Sequence, residues 1–346
     1  MLTFCTLFNS LYLDKGLTLY DSLCKVTDDF ILYILAMDDR CYNILTSLGY
    51  NSIVPIHLSE FENDDLLKVK GERSVGEYCW TCSSSLIKYV FDKFQPEYCT
   101  YIDADLYFYS DPICIINEMK DSNASVQVTG HRFYEDQKKY SHWKVGEFCV
   151  EFNTFKNDNK GRLLLDIWVK QCLNHCSIDG DGIYWGDQKY LDNWVKDYDF
   201  VIETQNLGAG VAPWNIAKYR QSTEGNNVNL LCENKECKLL FYHFENITYY
   251  DRTTINMNVF GRKGIQKDLV LNLYSNYLRH IDRNKALLKS KFDFDCLILR
   301  HPAEDTSLAA FYIKKIKNII KDIMYPCGKG NYITIKEKEK LDIIRI

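Results

Sequence analysis

Cys99-Thr100-Tyr101-Ile102-Asp103-Ala104-Asp105-Leu106-Tyr107 is a β-prone, mostly apolar run interrupted by two carboxylates at i and i+2. In an extended backbone those two positions point the same way, so Asp103 and Asp105 can converge on one hard cation, with Ala104 between them. The competing reading is a solvated turn at a strand end. Its approach argues against it: residues 99–102 read as a buried strand, and a carboxylate pair leaving such a strand is costly unless something compensates the charge. A divalent metal is the simplest compensation, and oxygen ligands suit Mn²⁺ or Mg²⁺.

Working outward toward the start of the chain, residues 3–8 read as a strand and 14–24 as a helix, with Leu17, Tyr20, Leu23 and Cys24 at helical spacing. A second strand at 30–36 stops at Asp38-Asp39, a helix at 40–48 is closed by Gly49, and a third strand covers 52–58. This β-α-β-α-β order predicts a parallel sheet with both faces covered, and ligands in such sheets sit beyond the carboxyl ends of the strands. A longer helix at 76–94 leads into the strand that ends in Asp103 and Asp105, which puts the acid pair at that edge.

Further strands are expected at 125–129, 147–155 and 200–203, with a helix at 161–176 and a short one through Trp194. Residues 206–215 form a Gly/Pro-punctuated loop, and an apolar strand at 239–244 carries His243, the candidate for a third metal ligand. The usual fate of a lone His near apolar residues is a hydrogen-bonded place in the core, and only the acid pair raises His243 above that.

Composition narrows the function classes. A formal net charge of −5 and the lack of an arginine-rich arm argue against a general nucleic-acid binder. With 46% hydrophobic and 26% charged residues the chain can bury an ordinary soluble core. No run approaches the roughly 18 apolar residues of a membrane span, and the first residues lack a basic segment and cleavage site, so a cytoplasmic protein is expected. Fourteen cysteines then read as reduced and mostly buried; Cys79-x-x-Cys82 lacks the second spaced pair that a structural zinc needs. The Asp179-Gly180-Asp181-Gly182 stretch fails the register of a calcium loop and reads as a turn. No G-x-G-x-x-G and no P-loop follows the first strand, so phosphates must be held another way.

Several motifs in order resemble the metal-dependent nucleotide-sugar glycosyltransferases of the GT-A fold, particularly bacterial enzymes similar to glycosyltransferase family 8 that build surface polysaccharides. They are Phe4-Cys5-Thr6-Leu7-Phe8-Asn9 with Tyr12, Asp38-Asp39, Arg73 with Glu77-Tyr78-Cys79-Trp80-Thr81, and Asp103-Ala104-Asp105, then Gly186-Asp187-Gln188-Lys189-Tyr190-Leu191, Gly210-Val211-Ala212-Pro213-Trp214-Asn215 and Tyr242-His243-Phe244.

The resemblance implies an α/β, Rossmann-like, mixed but mostly parallel sheet with flanking helices, a catalytic domain over 1–265 and a helical, basic extension over 266–346. It implies a UDP-sugar donor and a saccharide or glycolipid acceptor, with Thr6, Phe8, Asn9 and Tyr12 around base and ribose, Asp38 or Asp39 at the uracil or ribose, and Arg73 approaching the donor. Asp103, Asp105 and His243 map to the family's metal ligands, and Asp187 and Gln188 to the polar groups beside the transferred sugar. One departure stands out. Beyond the histidine the family pattern has a glycine and a lysine gripping the diphosphate, whereas here residues 245–251 intervene and Arg252, Arg262 or Lys263 are the cations nearby in sequence.

Two other readings compete. A haloacid dehalogenase-like phosphatase uses the first Asp of a D-x-D as nucleophile, but Tyr107 stands where its Thr or Val is usual. The other is a sugar-nucleotide or membrane-surface binding module without turnover. Near the end of the chain, Ile313-Lys314-Lys315-Ile316-Lys317-Asn318-Ile319-Ile320-Lys321 sets an apolar stripe beside a cationic face. Such a helix either docks on the domain or lies on an anionic membrane, making the protein peripheral on the inner face. Deleting the chain after Ala310 is expected to weaken binding to anionic vesicles in a flotation assay; equal binding would leave that helix a purely structural role.

Overall fold

All seven side chains of the first strand, β1 (Leu2–Phe8), are buried, and alternate ones feed two different cores. Phe4 and Phe8 join Leu32, Ile34 and Ala36 of β2 (Phe30–Ala36) beneath α1 (Leu13–Val26), while Cys5 and Leu7 join Tyr33 and Leu35 on the opposite face beneath α3 (Val75–Phe94) and α5 (Asn159–Asn174). Burial on both faces is why these strands read as unbroken apolar runs. The computed structural model describes residues 1–134, 145–179, 184–222, 229–249, 254–259, 265–299 and the strand at 332–334. Arg252, Arg262, Lys263, the turn at 180–182 and the stretch Ile313 to Lys321 lie outside them.

The main sheet has seven strands in the order β3-β2-β1-β4-β7-β6-β8. Here β3 is Ile53–His57, β4 Tyr98–Ile102, β6 Val126–Gly130, β7 Phe148–Lys156 and β8 Val201–Glu203. Only β7 runs against its neighbours β4 and β6; the other pairings are parallel. The α/β, mixed but mostly parallel sheet expected from the sequence is therefore present, and each expected strand and helix up to His243 lies within a few residues of its predicted place.

Local chemistry sets the boundaries. Asp38 caps α2 (Asp39–Leu48), its carboxylate accepting the Cys41 amide at 2.8 Å. α3 opens on a capping box between Ser74 and Glu77. Where α1 crosses β1, a side chain at Gly16 would meet the Phe8 ring at 2.2 Å, so only glycine lets the two approach.

A second, two-stranded ribbon pairs β5 (Leu106–Phe108) antiparallel with β12 (Phe241–His243), and places His243 opposite Leu106. The helix α6 (Lys267–Phe292) packs behind this ribbon. Tyr277 stacks on Phe244 at 3.9 Å between ring centroids, and Tyr274 meets Tyr242 edge-on. The first helix beyond residue 265 thus shares a core with the strand that carries His243. Among the described residues no helix is long and apolar enough to cross a membrane.

Phe4 is fully buried and packs against Phe30, Phe108 and Phe152, joining the sheet to the ribbon. Replacing it by Ala is expected to lower unfolding free energy by about 3–5 kcal/mol, read from the urea midpoint; a loss under ~1 kcal/mol would mean that this junction repacks without a cavity.

Candidate functional site

β4 ends at Ile102, and the chain turns so that the Leu106 amide bonds back to the Asp103 carbonyl at 3.3 Å. On one side the Asp103 amide donates to the Glu151 carbonyl of β7 at 3.1 Å. On the other the Phe244 amide donates to the Asp105 carbonyl at 3.0 Å. The acid pair is therefore fixed between two backbone partners, one in the sheet and one in the ribbon.

His243 completes the arrangement. Its Nε2 lies 3.1 Å from Asp105 Oδ1 and 3.7 Å from Asp103 Oδ2, and its Nδ1 lies 2.6 Å from Glu151 Oε2. Asp105 and His243 are buried, whereas the Asp103 side chain is 30% exposed and forms the open side of the group. One ligand atom from each of Asp103, Asp105 and His243 falls within 4.8 Å of the others. Two carboxylate oxygens and an imidazole nitrogen suit a hard or borderline divalent ion, so the residues fit the metal expected from the sequence.

The electrostatics follow from crowding charge in a recess. Burial, with Asp105, Asp187 and Glu151 adding repulsion that His243 only partly offsets, pushes the Asp103 carboxyl up to about 7. Burial acts the same way on Asp105, but the adjoining His243, its hydrogen bond and the nearby Lys15 outweigh it and hold that carboxyl below its ordinary range. Burial disfavours the His243 cation, yet Asp105 and the hydrogen-bonding groups around the ring lift its pKa well above the usual imidazole value.

The Gly210-Val211-Ala212-Pro213-Trp214-Asn215 loop is the wall behind His243. Gly210 has φ +67°, and a side chain there would approach Glu151 Oε1 to 3.2 Å and Thr129 more closely still. The Val211 carbonyl accepts the His243 amide at 2.9 Å, Trp214 meets the imidazole edge-on at 5.4 Å, and Asn215 ties the loop together through Ala212, Gly210 and the His131 carbonyl.

Other predicted residues separate into near and far. Tyr12 borders the acid pair, and Lys15 sits 3.4 Å over the Tyr12 ring; the charge of Asp105 acts on both. They line a cleft together with Asp14, Asn246, Thr248, Tyr249 and Lys285. Thr6 is fully buried with a hydroxyl that finds no partner among the described residues, and Asn9 caps a turn through the Leu11 amide at 3.1 Å. Phe8 is 3% exposed with its ring against Gly16, so it fills core.

Asp38 spends its second oxygen on the Ser10 amide at 2.8 Å, and Asp39 is exposed beside His57. The Arg73 guanidinium bonds Thr81 and the Cys172 and Leu173 carbonyls, at 2.7 and 2.6 Å for the carbonyls, near the C-terminal end of α5. Asp187 is buried, accepts from Ser83 at 2.5 Å, and lies close enough to raise the Asp103 carboxyl; the Gln188 amide donates to the Val145 carbonyl at 2.8 Å.

Two participants escape the motif reading. Glu151 stands in a run that reads as a strand, and its signal was a carboxylate at the middle of it. Lys15 looks like any exposed helix lysine until α1 is laid against the acid pair.

No family model matches the chain. It is 29% identical to the uncharacterized protein YfnD of Bacillus subtilis (strain 168) over 309 residues, 88% of this chain and 96% of that protein. It is also 29% identical to the uncharacterized protein YfnF of the same organism over 298 residues, 84% and 96% of the two chains. Among solved structures it is similar to the galactosyltransferase LgtC in complex with donor and acceptor sugar analogs, with TM-score 0.53 and 11% identity over 82% of this chain and 96% of that one. That likeness establishes the fold, a mixed sheet with flanking helices as in GT-A glycosyltransferases.

Burial, opposed only in part by the Ser83 hydrogen bond, pushes the Asp187 carboxyl up to about 7. Below pH ~4 both folded and unfolded chains hold this proton; as pH rises the unfolded chain releases it first, so the folded state loses stability until pH passes about 7. Asp187→Asn removes the penalty. Its advantage over wild type in urea unfolding is expected to grow between pH 5 and pH 8, toward about 4 kcal/mol in total from acid to alkaline pH. A pH-independent difference would contradict the buried, unpaired carboxyl.

Proposed function

We propose that this chain is a metal-dependent glycosyltransferase, similar to family 8, that moves a sugar from a UDP-sugar to a saccharide or glycolipid acceptor with retention, in surface polysaccharide assembly. The observation that carries the reading is the convergence of Asp103, Asp105 and His243 at the carboxyl edge of a parallel sheet in a GT-A fold. The quoted motifs and the likeness to a galactosyltransferase solved with donor and acceptor sugar analogs support it.

Transfer breaks the bond between the anomeric carbon and the diphosphate oxygen, and negative charge accumulates on the leaving group. Held by Asp103, Asp105 and His243, Mn²⁺ or Mg²⁺ would neutralise that charge. The chain's own cations supply the rest. Lys15 and Lys285 both line the cleft beside Tyr12, at 3.4 Å over the Tyr12 ring and 3.8 Å over Tyr249 respectively, where they would grip the diphosphate. They take over the role that the intervening residues beyond His243 leave open. Thr6 in β1 and Asn9 and Tyr12 just beyond it would face the nucleoside, the Thr6 hydroxyl having no partner among the described residues.

Asp187 would stand by the sugar. With its carboxyl near pKa 7, the ionised form present at neutral pH would stabilise positive charge developing on the anomeric carbon. Gln188 would hold a sugar hydroxyl.

Wild-type protein supplied with UDP-sugars and Mn²⁺ but no acceptor is expected to release UDP slowly. Asp105→Asn should cut that rate on the order of 10²- to 10³-fold with an unchanged far-UV circular dichroism spectrum. Full activity in the variant would refute the metal assignment, and binding without any turnover by wild type, with acceptors present, would favour a non-catalytic module.

A further inference from the structure

Glu151 is the most deeply buried carboxylate at this site. It lies at the centre of β7, and of its two side-chain oxygens Oε2 lies 2.6 Å from His243 Nδ1 while Oε1 has no hydrogen-bond partner among the described residues. A buried carboxylate with an empty oxygen is a standing cost, and a strand interior could satisfy the space with an apolar residue. The backbone of the same residue accepts the Asp103 amide, so Glu151 is rigidly registered to the acid pair as well as to the imidazole. A side chain at Gly210 would crowd Oε1 to 3.2 Å.

Glu151 Oε2 is placed to accept a proton from Nδ1, which leaves Nε2 as the ring nitrogen turned toward Asp103 and Asp105, where it would offer its lone pair to a metal ion held by those carboxylates. We propose that Glu151 is a positioning residue for the metal site: it fixes the tautomer and the rotation of His243 and raises the basicity of its Nε2. A carboxylate behind a ligating histidine of this kind typically changes metal affinity by 10- to 100-fold when removed. The inference rests on the metal reading of Asp103, Asp105 and His243, and it adds a residue that no motif in the sequence marks.

The test measures metal binding without turnover. Wild type, Glu151→Gln, Glu151→Leu and Asp105→Asn are titrated with Mn²⁺ and free ion is followed by electron paramagnetic resonance, after near-UV circular dichroism has checked each fold. Asp105→Asn is expected to bind far more weakly than wild type. Glu151→Gln keeps an acceptor oxygen for Nδ1–H and is expected to lose about tenfold in affinity, and Glu151→Leu about a hundredfold. In the Mg²⁺-bound protein, ¹⁵N shifts of the His243 ring should show a single Nδ1–H tautomer in wild type and a mixture in the Leu variant.

Wild-type Mn²⁺ affinity and an unmixed tautomer in Glu151→Leu would overturn the positioning role while leaving the metal site standing. Failure of wild type itself to bind Mn²⁺, or binding indifferent to Asp105→Asn, would instead remove the metal reading and this inference with it.

Discussion

The structure hinges on a balance of charge in a confined space. Asp103, Asp105 and Glu151 each come within hydrogen-bonding or close ion-pair distance of His243 at the end of a mostly parallel sheet, with one imidazole among three carboxylates. Such an imbalance is relieved by protonation, toward which the Asp103 carboxyl is pushed, or by positive charge from elsewhere. Lys15 contributes from the side, and the remaining deficit is what a divalent ion or a cationic reaction centre would relieve. The backbone is arranged to hold the deficit in place: β7 supplies one fixed contact, the β5–β12 ribbon a second, and the Gly210 loop closes the back.

Much of this was legible in the sequence, and the reasons are physical. Strands buried on both faces announce themselves as unbroken apolar runs, so β1, β2 and β4 were readable, and an acid pair at the end of such a run stands out against it. His243 was recoverable for the same reason, as a polar residue finishing an apolar strand. What could not be read was distance between elements. Glu151 is conspicuous in β7 only once Asp103 is seen beside it in the neighbouring strand, and Lys15 acquires meaning only when α1 is packed on β1 through Gly16. Conversely, motif position alone exaggerated some residues. Phe8 fills core, the Asp38 carboxylate is consumed in capping α2, and the Arg73 guanidinium is engaged by carbonyls at the end of α5.

The helix beyond residue 265 illustrates how a sequence division differs from a packing division. Its composition shifts toward the basic, which marks it off along the chain. Its buried tyrosines nevertheless support the strand that delivers His243, and Lys285 reaches Asp14 at 3.6 Å and lines the cleft shared with Tyr12 and Lys15. The helix that reads as an appendage therefore buttresses the strand that carries His243.

The pairing of Asp105 with His243 joins residues 138 positions apart in the chain. During synthesis at about 5–20 residues per second, the ribosome would deliver the histidine on the order of ten seconds after the aspartates, time enough for the N-terminal strands to assemble around carboxylates still lacking their imidazole. Loop closure over so long a span is slow and is rewarded only at the end. Every strand of the main sheet, through Glu203, thus precedes in synthesis the ribbon strand that carries His243.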